Sequence, residues 1–333
     1  MANRPRRLLV GALGLLVALM AVNLCAGVSS VSPAQMLSAL TAGDVKDKAY
    51  RIFLYVRLPR ALAAVMAGAA LAASGHLLQS VLRNPLASPS IIGVNAGAGL
   101  FALVVMAFFP ALVGLVPVAA FLGACVAAFA VYFLATLTGA SKTTLVLSGV
   151  AVSSLLGAVM DAIVTLVPDA AVSRSAFSIG GFAGVSLQSL AFSAPFLLVG
   201  TLIAALFRRE LSILALGDEV AQGLGVRVTC YRTVFLLAAA MLAGCAVSFA
   251  GLIGFVGLIT PHAARMLLKE DERLRLPIAM TLGADLCLGC DFAARTLFAP
   301  YEMPVGVLLA FLGAPFFIFL LYRQKRSNRH DAA

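Results

Sequence analysis

Three carboxylates interrupt stretches that are otherwise too apolar to hold a charge: Asp161, Asp285 and Asp291. Placing a carboxylate in hydrocarbon costs roughly 3 kcal/mol or more, so such residues face a cavity or a charged partner. Arg295 follows Asp291 by four residues, one helical turn, and that spacing predicts an ion pair. For Asp161 and Asp285 a structural partner and a role in a transport pathway are both open. Other chemistry is sparse. Cys287-Leu-Gly-Cys290 is a lone CxxC supplying two ligands at most, and on a helix its thiols share a packing face. His262, after Pro261, has no second ligand in sight, so no metal site is expected. None of His76, His262 and His330 begins HExxH, no serine sits in GxSxG, and the Gly-Lys pair of a phosphate-binding loop is absent. The residues therefore predict no catalysis, no nucleotide site and no resident cofactor.

The elements that must carry these residues are membrane helices. Of the 333 residues, 62% are hydrophobic and 11% charged, Trp is absent, and the mean hydropathy is +1.04. Soluble domains are about 45–50% apolar and about 25% charged, which excludes a soluble enzyme, and the same figures exclude disorder. The apolar runs are continuous, not alternating, so they read as helices and not barrel strands. At roughly 20 residues per span there is room for about ten. Charge-free stretches place them at 8–27, 61–82, 91–109, 117–137, 144–166, 189–207, 233–250, 252–268, 278–298 and 304–322. Pro110 and Pro117 divide the long run 84–141 into a hairpin, and Gly251, Gly254 and Gly257 break the run 233–264. The first run follows Arg4, Arg6 and Arg7 and imitates a signal peptide, but it is long enough to span. Leu24 before Cys25 argues against lipoprotein cleavage. The whole chain, 1–333, reads as one all-α polytopic domain.

The net charge is +10, yet the basic residues sit at the ends of apolar runs, where they set topology and do not point to nucleic acid. With the N-terminus inside, 17 of the 24 Lys and Arg fall on the inner side and seven on the outer. That bias puts both termini in the cytoplasm. Five of the outer seven cluster between 46 and 60. The inner loop 208–232 reads as short amphipathic helices, with Leu211, Leu214, Leu216, Val220 and Leu224 among polar residues. It is either a docking surface or a helix lying on the membrane. Residues 66–75 (MAGAALAASG) and 242–251 (LAGCAVSFAG) share four identities on helices of opposite direction, weak support for an inverted repeat.

Several segments together resemble the FecCD-type permeases, the membrane subunits of ABC importers for iron–siderophores, haem and vitamin B12. They are Arg57-Leu-Pro-Arg60 with the run 66–75, Asn84-Pro-Leu-Ala-Ser-Pro-Ser through Gly99, Leu214-Ala-Leu-Gly-Asp-Glu-Val-Ala through Gly225, Gly254-Phe-Val-Gly-Leu-Ile-Thr-Pro-His-Ala-Ala-Arg265, and Pro304-Val-Gly306 with Leu312 to Phe317. The likeness runs from about 50 to 322. It implies a ten-helix subunit like that of the vitamin B12 importer, paired with a second copy or a paralogue. Two ATPase subunits, which bind the ATP and Mg, would dock below, and an external binding protein would deliver cargo from above.

By position, the resemblance implies that Asp218, Glu219, Ala221 and Gly225, within a segment of about 208–230, couple to the ATPase. Val220 departs from the family's alanine. Arg57, Arg60 and Arg295 would face acidic residues of the binding protein. Asn84 and Leu86 match a cytoplasmic gate. Lys142 and Thr143 align with a second gate, where Lys142 replaces a small polar residue. Asp291 matches a family position and Asp285 does not. The expected function is transport of iron–siderophore complexes across a bacterial inner membrane. The rival readings are a haem or cobalamin permease of the same family, an ion-coupled secondary transporter working through Asp161 or Asp285, and, weakest, a membrane enzyme.

Overall fold

The computed structural model describes residues 3–26, 32–42, 46–137, 142–268 and 272–330. They form fifteen α-helices. The first half comprises α1 (Asn3–Cys25), α2 (Pro33–Ala42), α3 (Lys48–Ile52), α4 (Leu58–Val81), α5 (Val94–Phe108), α6 (Val116–Leu137), α7 (Lys142–Leu166) and α8 (Ala170–Ile179). The second comprises α9 (Leu187–Leu206), α10 (Arg208–Leu216), α11 (Asp218–Gly223), α12 (Val228–Ala250), α13 (Val256–Leu268), α14 (Arg275–Thr296) and α15 (Val305–His330). Seven stretches are long and apolar enough to cross a membrane, and α5, α13 and the apolar part of α15 are shorter. All ten expected spans have a counterpart, and the chain is an all-α polytopic membrane protein.

The differences lie in the short helices. α2 and α3 lie after α1, at the end of the bundle that the Lys and Arg bias assigns to the outer side, and a π-helical turn, Phe53–Arg57, joins α3 to α4. α8 carries Arg174 and lies between the predicted spans 144–166 and 189–207. The predicted hairpin turn is a 3-10 segment, Pro110–Leu115.

α4 and α12 are the most enclosed long helices, each with 72% of its apolar window buried. They carry the two matched ten-residue segments and touch where Ser74 Oγ donates to the Ala239 carbonyl at 2.6 Å. Small residues let the backbones close. Gly68 of α4 meets Gly283 of α14, and Gly97 of α5 meets Gly123 of α6, with no room for a Cβ on either side. Such contacts replace the hydrophobic drive that hydrocarbon removes. Cys287 and Cys290 are buried in this packing, as their shared helical face predicts.

The break between α12 and α13 is the second organising feature. α12 ends at Gly251 (φ +67°), and Phe255 is held at φ +65°, a conformation bulky residues rarely adopt. Phe255 lies against Gly313 of α15, which leaves its ring the space. Within α13, Pro261 has no N–H for the Gly257 carbonyl. Gln79 of α4, 1% exposed, donates its Nε2 to that carbonyl at 3.2 Å and to Leu258 at 3.3 Å. A backbone acceptor freed inside the membrane is thereby satisfied by a side chain.

Candidate functional site

At the outer end three broken elements meet. Gly181 N–H donates to the Ala250 carbonyl at 2.8 Å, and Leu252 N–H donates to Phe177 at 2.9 Å. Gly306 at the start of α15 packs on the Ile179 carbonyl. The end of α8, the α12–α13 break and the start of α15 are thus stitched backbone to backbone. They wall a cavity of about 500 Å³, lined by Phe177, Phe182, Phe249, Met106 and Met303 among others. Its charged lining residues are Arg60 and Glu302, which pair with each other at 2.8 Å. Phe177 also borders two further cavities, of about 100 and 450 Å³. Non-helical backbone at membrane depth belongs where it lines such a space.

Beside the cavity lies a buried charge cluster. Asp291, 1% exposed, accepts from Arg60 Nε through both oxygens, at 3.0 and 3.1 Å, and faces Arg295 Nε at 3.3 Å. The predicted pair between Asp291 and Arg295 is present. The partnership with Arg60, 231 residues away, has no signal in the sequence. Arg295 also donates to Asn23 Oδ1 at 2.7 Å and to the Ala26 carbonyl at 3.3 Å. Arg57, buried by the π-helical turn, donates to the carbonyls of Leu24 and Cys25 at 2.9 and 2.7 Å. Two guanidiniums therefore cap the C-terminus of α1, where carbonyls lack helical partners.

The resemblance assigns Arg57, Arg60 and Arg295 to contact with a binding protein, and the structure places them differently from one another. Arg57 and Arg295 are turned inward, at 4% and 6% exposure, because the α1 carbonyls and Asp291 hold them there. The exposed outer cations are Lys46, Lys48 and Arg51, which the spacing grouped in the same basic cluster without singling out.

The other acids separate as well. Asp161 is exposed near the end of α7 and pairs with Arg174 of α8 at 2.6 Å. Asp285 is buried in α14 at 6% exposure, with neither oxygen hydrogen-bonded.

At the inner end, Asn84 Oδ1 accepts from the Leu86 N–H at 2.9 Å, an Asx turn that shapes the loop after α4. Thr143 is exposed at the start of α7. The Lys142 side chain lies outside the described residues. In the following inner loop, Leu211 and Leu214 of α10 are buried while Leu216, Val220 and Leu224 are exposed. The amphipathic row expected there is thus divided between two faces. Asp218 is tied to Arg232 at 2.7 Å, Glu219 points outward, and Gly225 adopts φ +79°. Ala221 is fully buried, so it supports the segment from beneath and is not part of its outer face.

A bundle of broken and whole spans around an outer cavity, with a helical inner loop, defines a membrane permease. The model of the FecCD transport family matches residues 15–323, and the chain belongs to that family. It is 38% identical to the achromobactin transport system permease protein CbrC of Dickeya dadantii, over 94% of this chain and 90% of that one. It is 37% identical to the hemin transport system permease protein HmuU of Yersinia pestis, over 97% of each. Among solved structures, an ABC transporter of metal-chelate type in an inward-facing conformation superposes with a TM-score of 0.81 at 30% identity, covering 96% of this chain and 99% of that one.

Proposed function

We propose that this chain is the membrane subunit of an ATP-driven importer for iron–siderophore complexes in a bacterial inner membrane, with both termini in the cytoplasm. The observation that carries the cargo is the outer cavity: broad, aromatic and sulfur-rich, with its two charges neutralising each other. A bulky chelate needs room and apolar contact more than a matched ion. Relatives that carry achromobactin and hemin support the class.

In this reading a second copy or a paralogue completes the pathway, and an ATPase pair docks on α10 and α11. Leu216, Val220 and Leu224 with Glu219 offer the exposed face, over Asp218, Ala221 and Gly225 as its support. An external binding protein with an acidic surface would approach Lys46, Lys48 and Arg51. Arg60, which lines the cavity, is the one of the three predicted arginines placed to meet cargo. Asn84, Leu86 and Thr143 would form the inner gate.

The test is uptake into proteoliposomes by the chain co-purified with its ATPase and binding protein, offered a ferric siderophore, hemin and cobalamin in turn. ATP-dependent accumulation of the ferric siderophore is expected, and preference for hemin or cobalamin moves the cargo within the family. Changing Val220→Asp or Glu219→Arg should cut uptake about tenfold, the size of one lost interface contact, while the ATPase still hydrolyses ATP. A second reading, an ion-coupled transporter, rests on the unpartnered buried Asp285. Uptake that survives an inactive ATPase and stops on Asp285→Asn would establish it and overturn the first.

A further inference from the structure

Another cavity, of about 330 Å³, opens at the inner end between the C-terminal ends of α4 and α13 and the starts of α10 and α14. Four arginines line it, Arg83, Arg208, Arg265 and Arg275, with His76 beside them and Glu272 as the one carboxylate. Glu272 is engaged by Arg275 at 2.8 Å. Arg83, Arg208 and Arg265 have no carboxylate partner among the described residues.

Two orphaned groups give the ligand's chemistry. Nε and Nη2 of Arg265 are enclosed and donate to nothing. Gln79 also lines the cavity, and its Oε1 is enclosed with no donor, while its Nε2 is fixed on the Gly257 and Leu258 carbonyls. Buried polar atoms are almost always hydrogen-bonded, so two such groups facing one cavity mark a place where a water, ion or ligand would be bound. Unused guanidinium donors suit a phosphate, which arginine binds through two parallel bonds. An unused amide oxygen suits a hydroxyl. Both needs are met by a phosphate that also carries an O–H.

We propose that this cavity is a binding site for a hydroxyl-bearing phosphate anion, supplied either by a phosphoglycerol lipid headgroup or by free hydrogen phosphate. Arg265 and Gln79 hold it at the base, and Arg83 and Arg208 close over its charge at the rim. The site stands independently of the cargo and of the transport reading.

The experiment uses the purified full chain in detergent. Native mass spectrometry reads retention of phosphatidylglycerol against phosphatidylcholine, and thermal unfolding reads the response to inorganic phosphate. Phosphatidylglycerol should be retained in preference, and Arg265→Gln should reduce retention about tenfold, the loss of one charged hydrogen-bond pair. Arg208→Gln, at the exposed rim, keeps the test valid if the Arg265 variant misfolds, and it should fall in the same direction. Arg7→Gln, an exposed arginine that does not line the cavity, should leave retention unchanged. Inorganic phosphate that stabilises the chain and displaces the lipid assigns the free anion. Lipid that resists phosphate assigns the headgroup, and either result supports the site. Equal retention of both lipids with no phosphate response would overturn it. So would an Arg7→Gln loss matching that of Arg208→Gln.

Discussion

The two ends of the bundle use arginine in opposite ways. At the outer end Arg57, Arg60 and Arg295 are turned inward, onto carbonyls of α1, onto Asp291 and onto Glu302. At the inner end Arg83, Arg208 and Arg265 line a cavity whose Glu272 is held by Arg275, and none of the three has a carboxylate partner among the described residues. Both groups look alike to a topology count, which weighs each basic residue equally. Their environments separate them. The outer arginines fasten α1, α4 and α14 together, and the inner ones keep their bonding capacity for something that is not part of the chain.

The sharpest way to break this comparison is Asp291→Ala. It takes the shared carboxylate from two guanidiniums, leaving Arg60 with Glu302 and Arg295 with Asn23, and removing one partner from such a cluster costs about 3–5 kcal/mol. Unfolding of the purified protein in detergent should show a large fall in midpoint. Arg265→Gln removes a cation that has nothing to pair with, so without phosphate its cost should stay within about 1 kcal/mol. If the two variants lose stability equally, the inner arginines are fasteners too.

Between the ends lies the glycine waist they share. Gly75 of α4 faces the Gly257 backbone without space for a methyl group, against the same carbonyl that Gln79 satisfies. Gly75→Ala must push α4 from α13, and overpacking of this kind costs about 1–3 kcal/mol. Gly157 of α7 has nothing near a new Cβ. Gly157→Ala should therefore be neutral or gain up to about 1 kcal/mol, roughly the helix-propensity difference. The same unfolding measurement ranks both. A harmless Gly75→Ala would show that the waist tolerates a shift, and the phosphate response of that variant would show whether the inner cavity depends on it.

The spans were legible because a charge-free run of helical length has one stable fate in a membrane. The break at Gly251 was legible for the same local reason, since glycine interrupts a run visibly. What was hidden is long-range. Nothing near Arg60 in the sequence points to Asp291, and nothing near Gln79 points to Pro261, whose missing N–H it compensates. Arg57 and Arg295 could be placed on the outer side from the sequence, but their direction depends on where α1 ends in space. α2 and α3 escaped notice because helices of ten and five residues are too short to register as spans. The amphipathic row over 211–224 was visible as periodicity, yet only packing shows that its first two leucines face in and its last three hydrophobic residues face out.

The smallest effect sharpens the comparison from its surface. Asp161 and Arg174 tie α7 to α8 at the outer end at 2.6 Å, with Asp161 70% exposed. Asp218 and Arg232 tie α11 to α12 at the inner end at 2.7 Å, with Asp218 43% exposed. Water screens exposed pairs, and each contributes about 0–1 kcal/mol. Asp161→Asn should therefore shift the unfolding midpoint little and should do so less at high salt. Asp218→Asn should be similarly mild for folding but should impair uptake, because the carboxylate orients the segment that carries Glu219. The contrast lies in what each variant spares. If Asp161→Asn approached Asp291→Ala in cost, the outer end would depend on every ion pair it has and not on one buried cluster. If Asp218→Asn left uptake intact, the inner pair would be a surface contact like its outer counterpart, and the ATPase-facing role of α11 would have to rest on Leu216, Val220 and Leu224 alone.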